Sequence, residues 1–134
     1  MIRRLTLAIA LLAAAPLFAQ QDDPMARYLA PPDVIMAHSQ ELALQDKQRA
    51  AIKAEVQKAQ SKFIDAQWDV KEETEKMLRL LQQSPVDEAR VLEQADKVMS
   101  LEREIKKTQL AMLIRIRNVL TAEQMAKLEA IRKR

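Results

Sequence analysis

The sequence predicts an all-α protein, a long antiparallel helical hairpin flanked by short helices. Three observations predict it. Gly is absent, aromatics are few, and Ala, Leu, Lys, Glu and Gln dominate, a mixture that favours helix and lacks the turn signals of strand hairpins. Two long apolar stripes at helical spacing lie on either side of one break. That break, Ser84-Pro85-Val86-Asp87, is short enough to send the second helix back antiparallel to the first.

Each element follows from its residues. Residues 20–32 are rich in Gln, Asp and Pro and read as a flexible lead-in, with a turn of helix near Met25–Ala30 ended by Pro31. Asp33 can cap a short helix over 34–43, with Val34, Ile35, His38 and Leu42 at helical spacing. A second helix is expected over 46–83. Ile52, Val56, Ala59, Phe63, Ala66 and Val70 alternate steps of four and three, a heptad seam that Met77 and Leu81 continue. At 1.5 Å per residue it would be about 57 Å long, so it needs a partner of similar length. Ser84 as N-cap, Pro85 at N1 and Asp87 at N3 open a third helix over 85–118. Its core stripe is Leu92, Ala95, Val98, Leu101, Ile105, Met112, Ile116 and Val119. A last helix, 122–132, carries Met125, Leu128 and Ile131, and its basic tail suits the negative end of the helix dipole.

The most informative stretch is Leu120-Thr121-Ala122-Glu123-Gln124. Thr121 is a good N-cap, Gln124 at N3 completes a capping box, and Leu120 with Met125 can form a hydrophobic staple. A weaker echo, Leu44-Gln45-Asp46-Lys47-Gln48, precedes the second helix. Gln is a poor N-cap, so Asp46 is expected to take that place. In these two starts and the hairpin between them the chain resembles the LTxxQ-motif proteins of the bacterial periplasm. These are the Spy and CpxP chaperones and stress adaptors, with the metal-responsive ZraP- and CnrX-like relatives. The resemblance covers roughly residues 33–132, and only the second motif is intact. It implies a cradle-like antiparallel homodimer and an ATP-independent chaperone or stress adaptor that binds unfolded or envelope proteins. The relatives make a heavy-metal sensor or resistance protein the alternative. A helical adaptor for one envelope partner is a third class.

The first 19 residues fit a secretory signal: Arg3 and Arg4, an apolar run from Leu5 to Ala15, then Pro16 and Ala19. Leu5 to Ala19 is short of the ~20 residues of a membrane span, so cleavage, a periplasmic location and no lasting membrane anchor are expected. Without Arg3 and Arg4, 20 basic residues face 19 acidic ones, a net charge of about +1 rather than +3. The basic precursor therefore carries no nucleic-acid signal. Lack of Cys excludes disulfides and thiolate ligands, and lack of Gly excludes phosphate-binding loops.

No catalytic constellation emerges, and neither an enzyme nor a cofactor is expected. Asp69, Glu72, Glu73 and Glu75 read as a solvated face. Glu72–Lys76, Glu75–Arg79, Glu102–Lys106 and Glu55–Lys58 read as pairs that support helix. No metal site is expected: His38, the one histidine, has Glu41 three residues on and is a candidate ligand for a divalent metal, but a lone His with one carboxylate is an incomplete set. Leu42 stands where a helical His pair would need its second member. The methionines at 77, 99, 112 and 125 read as flexible core filler. Ile64, Trp68 and the run 110–116 exceed what one seam needs, and could serve packing, a dimer interface or a client surface. For client capture the candidates are Lys106, Lys107, Met112, Arg115, Ile116 and Arg117, cations for acidic segments beside sequence-tolerant apolar groups.

Overall fold

A computed structural model describes residues 24–134. The expected signal segment at 1–19 and the first part of the lead-in lie outside the described residues. A 3₁₀ turn, Pro24–Arg27, leads to α1 (Pro32–Ala37), α2 (Asp46–Leu81), α3 (Glu88–Val119) and α4 (Ala122–Arg132). Among the described residues there is no strand. The expected hairpin is present: α2 has 36 residues and α3 has 32, about 54 and 48 Å, and they pack against each other.

The core sits at one end of this hairpin. Ile35 of α1, Leu42 and Leu44 of the following loop, Ile52 of α2, Ile116 of α3 and Leu128 and Ile131 of α4 form one buried cluster, with Ala30 and Leu120. Val34, Val56, Met112, Val119 and Met125 pack around it. Full burial of one such aliphatic side chain stabilises by about 1.5–3 kcal/mol. Away from this end only two helices remain. The seam residues Phe63, Ala66, Val70 and Met77 are half-buried there, and Ala59, Gln94 and Val98 are the buried residues of the arm.

Several local expectations are corrected. The first helix starts at Pro32, with proline in the first turn and no side-chain cap, and Asp33 lies inside that turn. It ends at Ala37 rather than 43. Residues 39–44 form a separate turn, closed by Leu44 N–H donating to Ser39 O at 2.9 Å and Ala43 N–H to Gln40 O at 3.0 Å. This is a Schellman closure with Ala43 in the left-handed region at φ 51°. The lead-in is docked at its end, where Ala30 is buried and Arg132 Nη2 donates to Ala26 O.

The third helix starts three residues later than expected. Asp87 is its N-cap and accepts from Arg90 N–H at 3.2 Å, leaving Ser84 and Pro85 outside. A carboxylate caps as well as a hydroxyl, so either site was chemically competent. On α3 Leu92 is exposed, and Gln94 takes the buried position. Gln94 Nε2 donates to the Glu73 backbone O at 2.8 Å and to its carboxylate. Glu73 therefore belongs to the helix interface and not to the solvated acidic face; the Lys76 and Gln94 bonds hold its carboxyl below the usual carboxylate range. Glu72–Lys76 forms at 2.9 Å as expected. Glu55 instead reaches across to Arg115, at 3.6 Å.

Candidate functional site

The two motif starts meet at the buried end. Gln124 is the N3 residue of α4. Its Oε1 accepts from Thr121 N–H at 2.9 Å, and Gln124 N–H donates to Thr121 Oγ1 at 3.2 Å, the full capping box. The first motif behaves alike despite lacking Thr. Gln45, not Asp46, is the N-cap of α2, and its N–H donates to Gln48 Oε1 at 3.0 Å. Asp46 instead pairs with Arg49, whose Nη1 holds the Leu44 carbonyl at 3.0 Å.

The two glutamines then join. Gln48 Nε2 donates to Gln124 Oε1 at 2.8 Å, and Gln124 Nε2 donates back to Gln48 Oε1 at 3.1 Å. The second hydrogens go to the backbone just before the other motif: Gln48 Nε2 to Val119 O, at the end of α3, at 3.0 Å, and Gln124 Nε2 to Leu42 O at 3.2 Å. Every donor of the two amides is used. The cluster couples both helix starts, as an interior amide must be satisfied to be tolerated. Sequence spacing alone held no sign of this pairing.

On the rim of the same end lies His38. Its Nδ1 is 3.5 Å from Glu41 Oε2, and Arg134 Nη2 donates to Glu41 Oε1 at 2.7 Å. The Arg134 bond is the main cause that holds the Glu41 carboxyl below its usual range. Donors 2.0–2.1 Å from a tetrahedral ion stand about 3.3 Å apart, so His38 and Glu41 suit two positions on one divalent metal. Among the described residues no group of three or more His, Cys, Asp or Glu gathers for a metal. The pair therefore supplies two donors, without a third such group beside them among the described residues.

The client-capture candidates do not share one surface. Lys107, Met112 and Arg115 border a cleft between α2 and α3. Lys106 lies by Leu110 and Leu113, against the lead-in. Arg117 faces Tyr28 and Met125. Ile116 is 0% exposed and belongs to the core, because its neighbours from α1, α2 and α4 close over it. Exposed apolar area lies instead along the two-helix arm, where Ile64, Trp68, Leu92 and Met99 are at least half exposed. Lys71 sits 5.4 Å from the Trp68 ring centroid, a cation–π distance.

Among the described residues no helix is long and apolar enough to cross a membrane. No curated protein and no solved structure matches the chain. A family model described as heavy-metal resistance matches residues 4–127, nearly the whole sequence. The chain belongs to this heavy-metal resistance family, part of the LTxxQ, Spy/CpxP-like periplasmic group that includes the ZraP- and CnrX-like relatives.

Proposed function

We propose that the protein serves heavy-metal resistance in the periplasm as a metal-responsive helical binding protein. The family match over residues 4–127 is the observation that carries this reading. The His38–Glu41 pair supports it, with an imidazole and an ionised carboxylate at a spacing that one divalent ion can bridge. Both groups sit on the loop whose Leu42 carbonyl is held by Gln124, so an ion bound there would act on the junction of the motifs. The role is tested in cells. Loss of the gene should lower tolerance to at least one of zinc, copper, nickel or cobalt, and restoring the chain should recover it. Unchanged tolerance to all four would overturn the role.

A second reading, ATP-independent capture of unfolded proteins, is favoured by the exposed apolar groups of the arm. Large apolar side chains left exposed in number are the groups an interaction surface would use. The same arm is where we place pairing with a second copy. Suppression of aggregation of a chemically unfolded client, near stoichiometric ratio and with metal chelated, would support capture. A folded protein without such suppression would remove it, and a single dominant partner recovered from envelope extract would favour a dedicated adaptor.

A further inference from the structure

We infer that the cleft between α2 and α3 binds a small tetrahedral dianion. The cleft encloses about 200 Å³, below the ~300–1,000 Å³ of sites for drug-sized ligands, so it suits an ion with a few waters. Four cations border it: Lys58 and Lys62 from α2, Lys107 and Arg115 from α3. The one acidic group there, Glu55, is engaged with Arg115 at 3.6 Å.

The charge is uncompensated where it matters. Lys58 and Lys62 are one helical turn apart on one face, and neither forms an ion pair among the described residues. Glu55 and Asp65 stand three positions from them in sequence, yet Glu55 turns to Arg115. Lys107 has Glu104 at 3.3 Å from outside the cleft. The rest of the lining, Ala59, Thr108, Ala111 and Met112, carries no charge to offset the ammonium groups. Its small residues leave room between the helices. A divalent cation would be repelled by this lining. An oxyanion would gain charge-assisted hydrogen bonds from the unpaired Lys58 and Lys62, with Arg115 serving to hold Glu55.

The shared chemistry is a dianion with four oxygens, supplied either by phosphate or by a metal oxyanion. The site involves neither His38 nor the exposed arm, so it and the readings above fail separately. The test is calorimetric titration of the purified protein with inorganic phosphate and, separately, with molybdate at low ionic strength, with chloride as control. One anion should bind per chain. The double variant Lys58→Gln, Lys62→Gln should weaken binding at least tenfold with helicity intact. Removing equal charge elsewhere, with Lys53→Gln and Lys127→Gln, should leave it within twofold. Tighter phosphate would support the site with a phosphoryl ligand, and tighter molybdate would support it with a metal oxyanion. No saturable binding of either, or equal weakening by both double variants, would overturn it.

Discussion

Gln48 and Gln124 bond each other in both directions across 76 positions of sequence, at 2.8 and 3.1 Å. Each also answers the N–H of its own helix cap, at 3.0 Å for Gln45 and 2.9 Å for Thr121. The recurrence of Gln in the two motifs thereby has one physical cause: each amide completes a helix start and binds its counterpart.

Gln124→Ala should cost about 2–4 kcal/mol, because it frees the Thr121 N–H and strips two partners from a buried cluster. Urea unfolding of the variant, of Gln48→Ala and of the double variant checks this. The two losses should be non-additive by about 1 kcal/mol. Additive losses would show that the pair does not act as a unit.

Ala43→Gly should stabilise the fold by roughly 1 kcal/mol. Ala43 occupies the left-handed region in a chain that has no glycine. Left-handed backbone costs a non-glycine residue about 1–2 kcal/mol, of which glycine entropy returns roughly half. An unchanged or lower unfolding midpoint would contradict the strain.

Acid should weaken the fold through a small set of carboxylates. Glu41, Glu73 and Glu129 have folded pKa values below the usual carboxylate range, held down chiefly by Arg134, Lys76 and Lys133 respectively. A depressed pKa gives stability that is present above the unfolded value, near 4.5, and lost as pH falls through the folded value. Lys76 is raised by Glu73 and then Glu72, so its contribution is lost only as pH rises through its folded pKa, above 10.5. Thermal melting should be insensitive to these groups near neutrality and fall below about pH 4.5. Glu73→Gln should flatten that fall; an unchanged acid profile would remove Glu73 from it.

Ile116 and Trp68 should separate core from surface. Ile116→Ala should cost about 2–5 kcal/mol, as a fully buried aliphatic truncation does. Trp68, 65% exposed, should change monomer stability by no more than about 0.5 kcal/mol when replaced by Ser. If the arm pairs two copies, Trp68→Ser should raise the concentration at which sedimentation shows dimer. An unaltered equilibrium would place the interface elsewhere.

The long helices were legible because a heptad pattern is a local, repeated signal: Ile52 to Val70 read as a seam and are the face of α2 that packs. The end of the first helix was not, since His38 to Leu44 remain helix-compatible in sequence and only the closing turn at Ala43 breaks them. Ser84 reads as the cap of the third helix and Asp87 as its N3 residue, yet Asp87 has the chemistry of a cap too and takes that place. Gln94 was missed because a polar residue on a helix reads as exposed unless its partner, here Glu73 on the other helix, is known. The candidate metal residues were visible as a spacing, His38 to Glu41, but Arg134 joins them through chain folding across 93 positions. Lys58 and Lys62 gained meaning only when α3 placed Lys107 and Arg115 opposite them.

A metal-responsive role through His38 and Glu41, as proposed, requires that the purified protein bind an ion through them. The most direct measurement is calorimetric titration of the purified protein with zinc, copper, nickel and cobalt, beside His38→Ala and Glu41→Gln. Saturable binding of at least one ion, tighter than micromolar and lost in both variants, is the expected result. Binding that survives both substitutions, or no binding of any of the four, would contradict it.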